Sequence, residues 1–241
     1  MKYLPEPGPA SDAAPTERAA VVLFNLGTPQ APTAAAVRRY LAEFLSDPRV
    51  VEIPRLVWWP ILHGVVLRTR PRLSAAKYAS IWTPAGSPLK VYTEQQALLL
   101  RGYLGDRGID VDVFAAMRYG EPSIPSAFSA MRERRVGRVL LIPLYPQYSA
   151  TTTGSTIDAV GAVLSRTRNV PEVRWVKQFH DDPGYVAALA QSIRKSWSGR
   201  TPGDRLLMSF HGVPRRMVEL GDPYYDQCIR TAERLAAALA L

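Results

Sequence analysis

His211 lies in the run Ser209-Phe210-His211-Gly212-Val213-Pro214. An imidazole can take a proton near neutral pH or hold a borderline metal ion. The preceding residues, Leu206-Leu207-Met208-Ser209-Phe210, read as a short buried strand. Gly-x-Pro then breaks the pattern, because it cannot continue a strand. A histidine at the carboxyl end of a strand is where open α/β sheets present chemistry to a crevice. The same pattern also fits a ring satisfied by backbone groups at a strand end. Spacing alone leaves both readings open.

Three further segments could carry chemistry. Phe24-Asn25-Leu26-Gly27-Thr28-Pro29 is a strand running into a glycine turn, without the spacing of a dinucleotide or P-loop motif. It reads as a phosphate-type loop or, more simply, as a tight turn. Tyr145–Thr156 places six Ser/Thr within residues 149–156, beside Gly154 and at the start of a helix. Capping accounts for one or two hydroxyls. The free N–H groups of a helix start also favour a carboxylate or phosphate, so a polar binding loop is expected. Ile53–Leu67 (IPRLVWWPILHGVVL) holds two adjacent tryptophans and is followed by Arg68, Arg70 and Arg72. It falls short of the roughly 20 apolar residues that span a bilayer, and Pro60 interrupts it. Either it packs in a core, or it forms an apolar lip that meets a membrane or a large planar ligand, with arginines ready for carboxylates. His63 in this lip is a weaker ligand candidate, and His180, before Asp181-Asp182-Pro183, reads as a turn residue.

These groups need a scaffold, and apolar runs supply one. Strands are expected at Ala20–Leu26, Val111–Met117, Arg138–Leu144, Val173–Phe179 and Arg205–Phe210. Helical patterns lie at Thr33–Leu45, Thr93–Leu104, Ile124–Arg134, Ser155–Arg166, Tyr185–Trp197 and Asp222–Ala240. Continuous apolar strands alternating with helices argue for an α/β fold with a parallel sheet covered on both faces. Prolines at 143 and 146 mark a break, giving an N-terminal domain over 19–148 with its lip at 53–78, and a second, partial domain over 149–241. Residues 1–18 carry four prolines and lack the apolar centre of a secretion signal, so a disordered leader is expected.

Composition narrows the function classes. With 241 residues and 47% hydrophobic content, the chain can bury a large core. Its single cysteine, Cys228, cannot form an intramolecular disulfide or a four-cysteine iron–sulfur site within this stretch, and a cytoplasmic location follows by default. The net charge of +9 comes mainly from arginine and fits nucleic acid, an anionic membrane or an acidic small substrate. No helix-turn-helix, zinc-finger or RNP pattern accompanies it, so no nucleic-acid partner is expected.

Six motifs occur in register: Phe24–Pro29, Ile81–Leu89 (IWTPAGSPL), Met117–Gly120 (MRYG), Pro146–Ser149 with Thr152–Ser155, Ser209–Pro214 and Gly221–Tyr224 (GDPY). In this order, from about residue 20 to the last, the chain resembles the ferrochelatases, in their proteobacterial form. The resemblance implies a chelatase-like fold of two Rossmann-like parallel-sheet domains with a porphyrin cleft between them, the second domain incomplete here. It implies insertion of Fe²⁺ into protoporphyrin IX or coproporphyrin to form haem, with no cofactor beyond the substrate iron. His211 would be the active-site histidine and the metal-contacting residue, with Tyr119 beside it as a second catalytic group. Leu26, Tyr78, Ser87, Arg118, Tyr148, Ser149 and Thr152 would bind the porphyrin. The 53–67 lip would give peripheral contact with the inner face of the membrane.

A flat porphyrin obstructs metal entry, so a cleft that bends the ring and a base that removes its pyrrole protons suit the reaction. One departure stands out. The family carries an acidic motif downstream of the histidine, whereas Glu219 and Glu233 lie in other contexts. The resemblance thus implies about the first two-thirds of a ferrochelatase, which alone would be poorly folded or inert, its exposed half-sheet prone to aggregate. Two other readings remain: a cobalt or sirohydrochlorin-type chelatase, and a non-enzymatic tetrapyrrole-binding module. The Trp58-Trp59 lip disfavours the former, whose substrates are more heavily carboxylated.

Overall fold

The computed structural model describes residues 3–5, 18–199 and 203–241. They form two compact units. The first comprises residues 1–144 and 154–176, and the second comprises 145–153 and 177–241.

The first unit is built on four parallel strands: β1 (Arg18–Gly27), β2 (Asp112–Tyr119), β3 (Val136–Pro143) and β4 (Glu172–Trp175), in the order β2-β1-β3-β4. Parallel neighbours require crossover connections, and helices supply them. They include α1 (Ala34–Leu45), α4 (Pro88–Gly105), α5 (Ile124–Glu133) and α6 (Ser155–Leu164). The two-residue period of β1 divides its side chains between two cores. Ala20, Val22 and Phe24 pack with Ile124, Phe128 and Met131 of α5 and with Val160 and Val163 of α6. Val21 and Leu23 face Ala97 of α4 on the other side. A strand buried on both faces must be apolar throughout, which is why β1 reads as a continuous hydrophobic run.

Between α1 and α4 the chain forms α2 (Arg55–Ile61), a π-turn (Leu62–Val66) and α3 (Leu67–Ile81). The expected lip is therefore helical. Pro60 and Pro71 sit inside its helices, where missing N–H groups disturb the regular ladder.

The second unit holds α7 (Pro183–Trp197), α8 (Arg215–Glu219), α9 (Tyr224–Leu239) and a π-turn at Ala150–Gly154. Among its described residues there is no strand. Two expectations change accordingly. The expected strand Arg205–Phe210 is irregular: Leu207 is 91% exposed, and an isolated extended segment has no ladder to pair with. The Val173 strand is shorter than expected, Glu172–Trp175, and pairs with β3 in the first sheet. The β3–α6–β4 crossover places it there. The leader expected over 1–18 falls largely on residues 6–17, outside the described residues. Leu4, however, donates its N–H to the Arg166 carbonyl (2.9 Å) and packs against the core, and Arg18 already belongs to β1.

Gly27 closes β1 with φ +107°, and a Cβ there would lie 1.8 Å from the Tyr119 carbonyl oxygen. Gly27→Ala should therefore lower stability by more than about 3 kcal/mol in urea unfolding. Gly102→Ala in α4, where an added Cβ meets open space, should be neutral or stabilising by up to about 1 kcal/mol.

Candidate functional site

A parallel sheet delivers all its strand ends to one edge, and ligands bind there at the point where strand order reverses. In the first unit that edge carries the glycine turn after β1. Asn25 donates its side-chain amide to the Thr93 hydroxyl (3.0 Å) and accepts from the Leu26 N–H, leaving Leu26 half-buried. Thr28 donates to the buried Ser87 hydroxyl (2.8 Å). A hollow of about 390 Å³ opens beside them, lined by Thr28, Gln30, Trp82, Ser87, Lys90 and Glu121. The first two resemblance motifs thus meet around one cavity.

Next to this edge, Asp47, two residues beyond α1, gathers the end of β2 and the start of α6. The Asp47 carboxylate accepts from Arg118 Nη2 (2.5 Å), the Tyr119 hydroxyl (2.8 Å), the Ser155 hydroxyl (2.5 Å) and the Arg49 amide (2.8 Å). Burial opposes its charge, but the hydrogen bonds from Ser155, Tyr119 and the Arg49 amide, with the Arg118 guanidinium, outweigh it and hold the carboxyl below the usual aspartate range. Arg118 is fixed further by Nε, which donates to Ser155 Oγ (2.6 Å) and to the Ser155 carbonyl (3.0 Å), and its guanidinium lies 4.4 Å from the Tyr119 ring centroid. Tyr119 is fully buried against Tyr40 and Phe44. Burial pushes its hydroxyl well above the ordinary tyrosine range, so it stays a protonated donor. Tyr78, half-buried in α3, packs edge-on against Tyr40.

The lip separates its two tryptophans. Trp58 donates its indole N–H to the Leu45 carbonyl (2.6 Å), and Leu62 and Leu67 anchor the segment in the interior. Trp59 turns outward, with the Arg55 guanidinium 5.2 Å and the His63 ring 4.1 Å from its centroid. Around it Leu56 is 93% exposed, and Val57, Ile61 and Val65 are also exposed. Among the described residues, no helix is long and apolar enough to cross a membrane.

In the second unit His211 is exposed, on a segment without regular structure. With Phe210, Val213, Tyr224, Cys228 and Ile229 it lines a largely apolar cavity of about 500 Å³. Its backbone N–H donates to the Tyr224 hydroxyl (3.2 Å). The hydroxyl-rich loop is held by α9 and the turn before it: the Tyr148 amide donates to Gln227 Oε1 (2.7 Å), and Ser149, 2% exposed, donates to Asp222 (3.0 Å). Thr152 follows as a turn onto the Ser149 carbonyl. His180 is buried, and among the described residues neither ring nitrogen has a hydrogen-bond partner, Nε2 lying 3.9 Å from Asp181 Oδ2; burial pushes its pKa down, and its carbonyl accepts from Thr231.

The sequence model of the ferrochelatase family matches residues 18–241. The chain belongs to the ferrochelatase family. It is 59% identical to a ferrochelatase of Methylibium petroleiphilum, 56% to one of Polaromonas and 58% to one of Aromatoleum aromaticum. Each match covers the whole of this chain and 66% of the relative, so the chain spans just under two-thirds of the length of these curated ferrochelatases.

The structure divides the ferrochelatase site residues expected from the sequence between the units. Leu26, Tyr78, Ser87, Arg118 and Tyr119 belong to the first, and Tyr148, Ser149, Thr152 and His211 to the second. Tyr119, expected to be catalytic, is fully buried, and its hydroxyl donates to Asp47. Among the described residues no cluster of three or more His, Cys, Asp or Glu could hold a metal ion. Sequence reasoning missed Asp47: before Pro48 it looks like an ordinary turn residue, and only the fold brings β2 and α6 to it.

Asp47→Ala should cost about 3 kcal/mol at pH 7, because it leaves a largely buried guanidinium unpaired. The folded pKa of Asp47 is depressed, so its stabilisation is full above the unfolded aspartate value, about 3.9, and fades as pH falls through the folded one. Urea unfolding of both proteins from pH 7 to pH 3 should show the gap narrowing only at the acid end.

Proposed function

We propose that this chain, which forms two compact units and need not be the inert piece that the resemblance implies, inserts Fe²⁺ into a dicarboxylic or tetracarboxylic porphyrin, protoporphyrin IX or coproporphyrin, to form haem. The observation that carries the reading is His211, an exposed imidazole on the rim of a largely apolar cavity, in a member of the ferrochelatase family. An apolar wall suits the face of a tetrapyrrole, and the positive net charge suits its carboxylates. As Fe²⁺ enters, two pyrrole N–H protons leave, so the charge of the ring and metal together is balanced by two released protons. His211 contributes a ring nitrogen at that point, for one of those protons or for the metal on its way in.

The remaining roles follow from placement. Ser87, with Thr28 and Lys90, offers polar contacts at the rim of the first unit's hollow. Among the described residues Arg118 Nη1 has no hydrogen-bond partner, so it adds a donor for a carboxylate. Leu26 and Tyr78 supply apolar and aromatic surface; Tyr148, Ser149 and Thr152 form a polar loop in the second unit. The exposed apolar residues of α2 and the neighbouring arginines support peripheral contact with the inner face of the membrane and a cytoplasmic location. The same apolar lip argues against sirohydrochlorin-like substrates, which carry more carboxylates.

Anaerobic insertion of Fe²⁺ or Zn²⁺ into protoporphyrin, followed by loss of free-base fluorescence, tests the reading. Turnover by the 241-residue chain should disappear in His211→Ala while porphyrin still binds. Undiminished turnover in that variant would refute the role of His211. Tight porphyrin binding without turnover by the unaltered chain would restrict it to tetrapyrrole binding. For the lip, flotation with anionic phosphatidylglycerol vesicles should capture the chain, and Leu56→Asp with Trp59→Asp should release it. Equal capture of the double variant would remove the lip from the account.

A further inference from the structure

The GDPY motif is placed with unusual economy. Gly221, at φ +99°, ends α8: the Asp222 N–H returns to the Met217 carbonyl (3.0 Å) and the Gly221 N–H to that of Val218 (2.9 Å). This turn aims the Asp222 carboxylate back at two segments. Oδ2 accepts from the Ser149 hydroxyl (3.0 Å) and the Ala150 amide (2.7 Å), fixing the hydroxyl-rich loop. Oδ1 accepts from the Tyr224 amide (3.0 Å), and the Tyr224 hydroxyl in turn accepts from the His211 amide (3.2 Å). The loop and the histidine segment are thus tied through one carboxylate and one phenol. The His211 segment has no strand ladder of its own among the described residues, and its His211 N–H is held instead by the Tyr224 hydroxyl.

We propose that Asp222 is a positioning residue that sets the polar loop and His211 in a common register, and that Tyr224 carries its influence to His211. The inference rests on the proposed role of His211, and it names two groups that touch neither metal nor porphyrin nitrogen. Asp222→Asn keeps the size of the side chain but turns one acceptor into an NH₂, which opposes either the Ala150 and Ser149 donors or the Tyr224 amide. Losing a charge-assisted contact of this kind corresponds to roughly tenfold in an equilibrium. Tyr224→Phe removes the acceptor for the His211 amide, together with the hydroxyl's hydrogen bond to Cys228.

The test compares the 241-residue chain with Asp222→Asn, Tyr224→Phe and the double variant. Three quantities are read: porphyrin affinity by fluorescence, metal-insertion rate, and the backbone amide resonances of Ala150 and His211 by NMR. Asp222→Asn should weaken porphyrin binding and slow insertion, each by about tenfold, and should move both resonances. Tyr224→Phe should slow insertion severalfold, move His211 and leave Ala150 in place. The double variant should resemble Asp222→Asn, because both act along one path. A His211 resonance unmoved by Asp222→Asn overturns the proposal, whether or not the chain turns over. Normal affinity and rate in that variant, when His211→Ala is inactive, also overturn it and leave the role of His211 standing. Full activity in His211→Ala would instead refute the underlying function.

Discussion

Four hydrogen bonds converge on the carboxylate of Asp47, and the carboxyl edge of the first unit depends on them. Strand β2 ends by turning Arg118 and Tyr119 inward to that carboxylate, and α6 begins by bringing Ser155 to it. A guanidinium placed there without a partner would be costly, as would a buried carboxylate without donors. Together they satisfy one another, and the arrangement fixes three chain segments at the place where a parallel sheet presents its ligands. Glu43, one turn earlier on α1, repeats the theme by accepting from the Gly120 amide (3.0 Å). The end of α1 thus serves as a clamp on the exit of β2.

The second unit solves a similar problem without a sheet. Among its described residues, side chains on the first half of α9 and just before it take the place of a strand ladder. Asp222, Gln227 and Thr231 hold the backbone or side chains of residues 147–150, 178 and 180. A helix end that binds loops through its own side chains can position them closely, though each contact is a single hydrogen bond rather than a shared ladder. His211 is held in this way, which is why its environment is open to solvent while the loop residue Ser149 is nearly sealed.

Much of this was legible in the sequence, for identifiable reasons. The strands near 20, 112 and 138 are apolar runs of a kind that only burial on both faces explains, and they form where the pattern places them. The major helices likewise agree with their amphipathic spacing to within a few residues at most ends. Arg205–Phe210 failed because apolar composition marks a strand's preference and not its partner: Leu206-Leu207-Met208 has the right residues but, among the described residues, no strand to pair with. The lip was legible as apolar but not as helix, since two prolines and a glycine mask its periodicity. In the site, His211 announced itself by type and turn context. Asp47 did not, because its importance lies in contacts to residues 71, 72 and 108 positions away. Tyr119 was visible as a motif residue, but its burial was not, and burial changes what its hydroxyl can do.

The central claim is that a porphyrin meets this chain at the His211 cavity. A crystal structure of the 241-residue chain with metal-free protoporphyrin bound tests it most directly. The account predicts a macrocycle seated against the cavity wall of Val213, Tyr224 and Ile229, with the His211 ring facing the pyrrole nitrogens. A porphyrin bound elsewhere on the chain, with His211 turned away from its nitrogens, would contradict the account.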